Sequence, residues 1–494
     1  MPVNEKHLEF FRNLSDMYDV NFWSPPGNLN KPVDFTIKPE DQAGFLKKAD
    51  ENGIYLSTIM RDIQRAFDKQ TVRSYIRRNM ESFNWQSYFR FKDIHNWLID
   101  LQKMYPKELQ LIEIGKSAEG RKMIAVKIIL IGSKRRSTVI VEGGIHAREW
   151  ISPAFVTFMI YKTITAPKSN DKEWKARALT YEWYFLPVVN PDGYEYSHTE
   201  DRLWRKNRND PSVDINRNFD TAFGTIGVSF QHQSDTYCGK HAFSEPEAMA
   251  MANFIKQRSK SLEYYISFHS YGQYMIIPYA HLTTHEDNYD EMKEIGKQVE
   301  KKISRRFNTK YLVGTAYDTV GYRTSGVSGC WVKKEFRVPY VLTFELRDDG
   351  ESGFALPPEQ ILPTCQETMD GMKTLLTPRV ARFQKLGPPD RLIDCQSRIS
   401  LLHHHHQPIN VPTAGAQAFP MDGIGRLGQF RSLPAPSRPS GGDAAVSSLR
   451  LSRRHGRAHV DRVLGGEGLT LPSMVRAMLG SERAWRAAAS SANL

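Results

Sequence analysis

Residues 137–150 read STVIVEGGIHAREW: an apolar, β-branched run closed by two glycines, then a histidine and a glutamate three positions apart. A short continuous apolar run bounded by glycine reads as a buried strand. Four further stretches share that character: MIAVKIILI (123–131), EWYFLPVVN (182–190), YYISFHSYG (264–272) and YVLTFEL (340–346). Helix-like stretches separate them, including PAFVTFMIYKTI (153–164), EPEAMAMANFIKQ (245–257) and NYDEMKEIGKQVEKKISRRF (288–307). Strands alternating with helices over roughly 300 residues predict an α/β domain with a mainly parallel or mixed central β-sheet flanked by helices. In such sheets ligands collect at the carboxyl ends of the strands, where the polar residues of these stretches stand.

The chain has 494 residues, 40% hydrophobic and 11% aromatic, which excludes disorder throughout and a single small domain. No run reaches the ~18 apolar residues of a membrane span, so a soluble protein without a span is expected. The opening MPVNEKHLEF has no apolar core of a signal peptide. Four cysteines are too few for a disulfide scaffold; they form two bridges or none, and compartment cannot be read from them. The net charge of +12 is dispersed. Residues 401–494 hold eleven Arg, no Lys and five acids, and the remainder 56 basic against 50 acidic groups, so each part carries +6. Charge spread in this way predicts solvated surface, and no nucleic acid is expected as a partner.

Lysine is frequent up to Lys385 and then disappears. Residues 386–494 are rich in Arg, Pro, Gly, Ser and Ala, offer little apolar surface against their ordering entropy, and read as a disordered tail. The tract His403–His406 within it is assigned no chemistry. At the other end, residues 1–78 read as a small α+β module. Val33–Ile37 and Ile54–Ile59 are strand-like, each followed by a helix-like stretch, and a basic segment with Arg73, Arg77 and Arg78 follows. A compact module on a trypsin-cleavable linker has the organisation of a removable prosegment; an ordinary linker containing arginines has the same composition.

His146 and Glu149 sit at i and i+3, which share one side of a helical turn and can converge on one ion. Alone the pair means little, since about one His-x-x-Glu is expected by chance in such a chain. His269 closes the alternating strand 264–269, where by itself it reads as a core histidine, and Glu345 closes 341–345. A carboxylate ending an apolar strand is costly unless satisfied or used. With Arg205 in LWRKNR and Asn216-Arg217 in DINRNFD, these residues supply metal ligands, a separate acid and fixed cations. That is the inventory of a hydrolase with an open zinc position.

The segments EGGIHAREWISPA, LPVVNPDGYEY, LWRKNR, DINRNFD, SFHSYGQYMIIPY and TFELRD follow one another at a spacing that resembles the zinc carboxypeptidases of the pancreatic A/B type in proenzyme form. The similarity runs from about residue 17 to 382, with the mature part beginning near Asn79. It implies a prosegment over 1–78, a catalytic domain over 79–385, and activation by a trypsin-like protease at Arg77 or Arg78. It implies one zinc held by His146, Glu149 and His269, with Glu345 as general base and Arg205 stabilising the oxyanion. Asn216 and Arg217 would hold the C-terminal carboxylate of a peptide or protein substrate, with Tyr322 closing over it. Arg148 and Tyr271 would bind residues further along, and Asp214 would orient His146. A secreted protein follows from the same resemblance.

Counting along the matched segment places Gly329 at the floor of the pocket for the C-terminal side chain. Ala280, Tyr317, Thr324 and Thr343 stand at other pocket positions, all uncharged, with Cys330 beside the floor. Family members that prefer Lys or Arg carry an acid at the floor and those that prefer apolar residues usually a bulky aliphatic; Gly329 is neither, and the neutral pocket implies apolar or aromatic C-terminal residues. Asp210 and Gln233 occupy the family's disulfide positions, leaving Cys238 and Cys365 to pair otherwise or not at all. The prosegment looks shortened at its start. Against the active enzyme stand an inactive homologue that binds peptide C-termini, a carboxypeptidase of basic specificity, and a surface-binding protein acting through its tail.

Overall fold

A computed structural model describes residues 1–70, 83–130 and 137–377. The linker arginines Arg73, Arg77 and Arg78, the tract His403–His406 and the whole tail lie outside the described residues.

The strands are β1 Val20–Ser24, β2 Asp34–Ile37, β3 Leu109–Lys116, β4 Lys122–Ile128, β5 Thr138–Gly143, β6 Glu182–Leu186, β7 Leu262–Ser270, β8 Tyr274–Ile276, β9 Leu312–Gly314 and β10 Tyr340–Leu346. β3 to β10 form an eight-stranded mixed sheet in the order β3-β4-β6-β5-β7-β10-β8-β9. At its centre β5, β7 and β10 run parallel, so their carboxyl ends open on one side.

Each face of the sheet carries its own hydrophobic core. On one face Tyr264, Ile266, Phe268, Leu342 and Phe344 pack with residues of the helices Phe91–Met104, Ile151–Thr165, Tyr289–Phe307 and Ile361–Leu375. On the other, Ile140, Tyr265 and Val341 pack with the helices Pro246–Lys256 and Ser328–Phe336. Burying each large side chain contributes about 1.5–3 kcal/mol, which makes these central strands the rigid part of the molecule.

The end of β5 shows why the sequence needs its paired glycines. A Cβ on Gly143 would stand 2.6 Å from Ser152 Oγ, and Gly144 has φ +67° with Pro153 and the Pro187 carbonyl close by. Only glycine lets the strand pass this close to the following helix and then turn sharply. The Ser152 hydroxyl receives the Gly144 N–H (3.0 Å) and donates to the Phe268 carbonyl (2.5 Å), which ties β5 to β7 beside the site.

Residues 1–70 form an α+β module with its own small core of Phe11, Leu14, Phe45, Ala49 and Ile54. β2 pairs antiparallel with β1. Val20–Ser24 was not singled out in the sequence, and Ile54–Ile59, expected as a strand, is irregular: Tyr55 is 94% exposed. Ile54 alone reaches the core, so the apolar character of that run reflects one anchor and not a buried strand.

Candidate active site

The carboxyl ends of β5, β7 and β10 deliver the reactive side chains. After β5 the chain turns, with the Glu149 N–H directed to the His146 carbonyl at 3.4 Å, and the Ala147 N–H bonds the Arg205 carbonyl at 3.0 Å. The segment His146–Glu149 is a turn preceding the helix Ile151–Thr165 and not part of it, yet the three-residue spacing still brings both side chains together. His146 Nδ1 lies 2.7 Å from Glu149 Oε1, and His269 Nδ1 lies 3.0 Å from Glu149 Oε2 and 3.1 Å from His146 Nδ1. The ligand atoms of these buried residues all lie within 4.8 Å of one another. Two imidazole nitrogens and a carboxylate converging at that spacing can hold a metal ion between them, and the donor set suits zinc.

Around this cluster Asp214 acts as a hub. It is fully buried; its Oδ1 faces His146 Nε2 at 3.2 Å and accepts the Asn216 N–H at 2.9 Å. Its Oδ2 accepts from Arg205 Nε and Nη2 at 3.0 and 2.9 Å, with Arg217 Nη1 3.8 Å away. Burial would raise the Asp214 carboxyl, but Arg205, Arg217 and His146 hold it well below the usual carboxylate range. Burial likewise opposes the charge on Arg205, and the carboxylates of Asp214 and Glu149 outweigh it. His146 is pushed down by burial and by Arg205, which favours the neutral imidazole a metal needs. An acid on the far nitrogen of such a histidine fixes the ring and aims the other nitrogen at the ion.

Glu345 lies in register with His269 on the neighbouring strand. Burial pushes its carboxyl up to about 8, against the lowering influence of His269 and with Glu149 adding to the rise. Arg217 is buried, its Nε and Nη1 bonded to the Gly227 and Asn216 carbonyls. Asn216 Oδ1 accepts the Ser328 N–H at 2.9 Å and its Nδ2 lies 3.4 Å from His269 Nε2. Tyr322 is half-buried, near enough to Arg217 and Glu345 for both charges to act on its hydroxyl.

The prosegment module occupies the residues expected to bind the substrate upstream of its terminus. Arg148 donates to Asn21 Oδ1 (3.1 Å) and the Phe22 carbonyl (3.2 Å), and also reaches Asp235. Tyr271 donates to Asp34 Oδ2 at 3.3 Å, and Trp23 packs on Tyr271 and Phe354. Gly27 sits so close to Tyr322 that an added Cβ would be 3.2 Å from its Cβ and Cδ1. Further along, Gln70 donates to the Phe354 and Leu356 carbonyls and receives Arg202 Nε at 2.9 Å. Of these module residues only Asp34 lay in a stretch that the sequence marks, the strand-like Val33–Ile37; Asn21, Phe22, Trp23, Gly27 and Gln70 look like ordinary residues of a small domain until a partner is seen.

In the side-chain pocket, a Cβ on Gly329 would lie 3.3 Å from Val341 Cγ1, 3.6 Å from Thr343 Oγ1 and 3.9 Å from Tyr265 Cε1. Ala280, Ala316, Val327 and Cys330 cluster alongside. Tyr317, next to Ala316 in the chain, is 45% exposed. Cys330 Sγ accepts the Ala280 N–H at 3.2 Å, and burial pushes its thiol up to about 12, so it stays neutral. Cys238, Cys330 and Cys365 are all free thiols, so Cys238 and Cys365 do not pair.

A mixed α/β sheet with a His/Glu/His cluster at its strand ends, beside buried arginines, defines a metal-dependent hydrolase. The chain belongs to the zinc carboxypeptidase family and is a metallocarboxypeptidase made with an activation peptide. The family model described as zinc carboxypeptidase matches residues 94–371, and that of the carboxypeptidase activation peptide matches residues 1–70. Zinc carboxypeptidase A 1 of Anopheles gambiae is 39% identical over 389 residues, covering 77% of this chain and 88% of that protein. Mast cell carboxypeptidase A of Mus musculus is 34% identical, covering 75% and 90%. The crystal structure of thrombin activatable fibrinolysis inhibitor superposes with a TM-score of 0.72 at 28% identity, over 76% of this chain and 96% of that one. Among the described residues, no helix is long and apolar enough to cross a membrane.

Proposed function

We propose that this proenzyme, once freed of its prosegment, removes single apolar or aromatic residues from peptide and protein C-termini. The observation that carries the reading is Gly329, where a Cβ would meet Val341, Thr343 and Tyr265, none of them charged, next to a Cys330 thiol that burial keeps neutral. A Lys or Arg side chain entering there loses hydration without gaining a partner.

His146, Glu149 and His269 hold the zinc, which when bound supplies Lewis acidity to polarise the scissile carbonyl and acidify water. Glu345, in register with His269 on the neighbouring strand, takes the proton of the attacking water and passes it to the leaving amine. Arg205, held charged and oriented by Asp214, faces the developing oxyanion. Asn216 and Arg217 receive the substrate's terminal carboxylate, and Tyr322 covers it. A substrate lacking that carboxylate forgoes this charge-assisted pairing, which restricts the enzyme to chain ends. Arg148 and Tyr271 grip residues further along the peptide once Asn21, Phe22 and Asp34 have left.

The same reading assigns the prosegment to 1–78, the catalytic domain to 79–385 and the activating cut, by a trypsin-like protease, to Arg77 or Arg78. A proenzyme awaiting a protease fits a secreted protein. The experiment is hydrolysis of peptides ending in Phe, Leu, Arg or Glu after brief trypsin treatment, with and without a zinc chelator. Chelator-sensitive release of Phe and Leu is expected; release of Arg instead overturns the pocket reading, and no gain after clean cleavage overturns the activation site.

A further inference from the structure

Among the asparagines of the whole chain, only Asn13 is followed two residues later by Ser or Thr, in Asn13-Leu14-Ser15. That tripeptide is the acceptor read by the enzymes that attach N-linked glycans along the secretory route. It stands in the prosegment, and residues 79–494 hold no other. A motif of two fixed positions arises readily by chance, so its place in the fold decides what it can do.

Asn13 lies in the turn between the helices Glu5–Arg12 and Leu14–Met17, with φ −89° and ψ 5°. Its backbone is engaged: the N–H donates to the Glu9 carbonyl at 3.0 Å, and the carbonyl accepts the Asp16 N–H at 3.2 Å. Its side chain is not. Asn13 and Ser15 are both exposed, and neither side chain has a hydrogen-bond partner among the described residues. Leu14 between them is 0% exposed and packs in the module core with Phe11 and Phe45, which pins the turn with both polar side chains toward solvent.

The strands show which way this turn faces. Val20, Phe22, Phe35 and Ile37 pack on the core shared with the helices, whereas Asn21, Trp23 and Asp34 meet the catalytic domain. Successive side chains of a strand point to opposite faces, so the helices lie on the far side of β1 and β2 from the enzyme. A bulky polar group on Asn13 therefore extends into solvent and disturbs neither the module core nor the contacts with Arg148 and Tyr271.

We propose that Asn13 is an N-glycosylation site, and that its glycan leaves with the prosegment so that the mature enzyme carries no N-linked sugar. The inference rests on the secreted reading above. The transferase meets the tripeptide in the extended chain, before folding. Asn13 Nδ2 loses a proton and bonds C1 of the first sugar of a lipid-linked oligosaccharyl pyrophosphate; the bond from C1 to the pyrophosphate oxygen breaks, and the lipid pyrophosphate leaves. The fold then has only to leave the sugar room, which the exposed turn does.

In the test, the full chain is produced in a eukaryotic cell behind a cleavable secretory leader. Cells and medium are analysed together, before and after peptide N-glycosidase. A single step in mobility is expected, with Asn13 deamidated in the treated protein. Asn13→Gln and Ser15→Ala each abolish the step, and Ser15→Thr keeps it, because either hydroxyl residue completes the acceptor. After trypsin the step stays with the fragment containing Asn13 and is absent from the catalytic fragment. Equal mobility before and after treatment, or a glycan on the catalytic fragment, overturns the inference and leaves the secreted reading standing. Fractionation of the source tissue tests that reading separately: proenzyme confined to the cytosol overturns it, and this inference with it. If Asn13→Gln does not fold, Ser15→Ala, which removes one exposed oxygen and keeps the asparagine, decides.

Discussion

The two faces of β7 and β10 are made from the same strands and do different work. Tyr264, Ile266 and Phe268, with Leu342, Phe344 and Leu346, turn to one face and are at most 2% exposed, packed among helices. The alternate residues on the other face change character along the strand: Tyr265 and Val341 are apolar, Ser267 and Thr343 polar, His269 and Glu345 reactive. The period of two lets a strand spend every second residue on rigidity and the rest on a graded path from pocket floor to catalytic rim. Chemistry is thus held by hydrocarbon packed directly behind it.

The largest effect that sharpens this contrast should come from Glu345→Gln. Turnover is expected to fall roughly 10²–10⁴-fold, with zinc content unchanged by metal analysis, because the base is lost and the ligands remain. Near-normal turnover would break the assignment of Glu345. One residue back, Phe344→Ala removes a fully buried ring from the opposite face. Stability measured by denaturant unfolding should drop by about 3–5 kcal/mol, while the folded fraction keeps its ranking of C-terminal residues. A changed ranking would show that the faces are not independent.

On the pocket face, Gly329→Asp places a carboxylate at the floor, at the cost of a tight 3.3 Å approach to Val341 Cγ1. The ratio of Arg to Phe release should rise roughly ten- to a hundredfold, the worth of a hydrogen bond to a charged group. No rise would mean that side chains do not reach Gly329. The smallest effect is expected from Asn21→Ala, which removes one acceptor from Arg148 across the prosegment contact. A loss of about 1 kcal/mol should appear as faster prosegment release after cleavage; an unchanged rate would place the hold elsewhere, on Trp23 or Gln70.

Much of the catalytic body could be read from the chain, because its central strands are largely buried on both faces and therefore nearly continuous in apolar character, whereas β3, β8 and β9 are partly exposed and did not stand out. The YVLTFEL stretch is β10 residue for residue, Tyr340–Leu346. The prosegment was harder to read. Its strands β1 and β2 are only partly buried, so Val20–Ser24 carried no clear pattern and Ile54–Ile59 carried a misleading one. The metal cluster showed in the sequence through residue types that are expensive at strand ends, and through their place in the matched segments.

By itself, then, the sequence determined the α/β class, the five central strands β4, β5, β6, β7 and β10, and the set of His, Glu and Arg that gather at their ends. Those depend on local periodicity and on side-chain chemistry, both of which are written in order along the chain. Only the tertiary structure decided that Arg148 and Tyr271 are held by Asn21, Phe22 and Asp34, that Ala280, Ala316, Val327 and Cys330 cluster together, and that Glu142 meets the Ser267 and Tyr265 hydroxyls. Each of these is a meeting of residues far apart in the chain. Strand register and domain docking bring them together, and no local pattern records either.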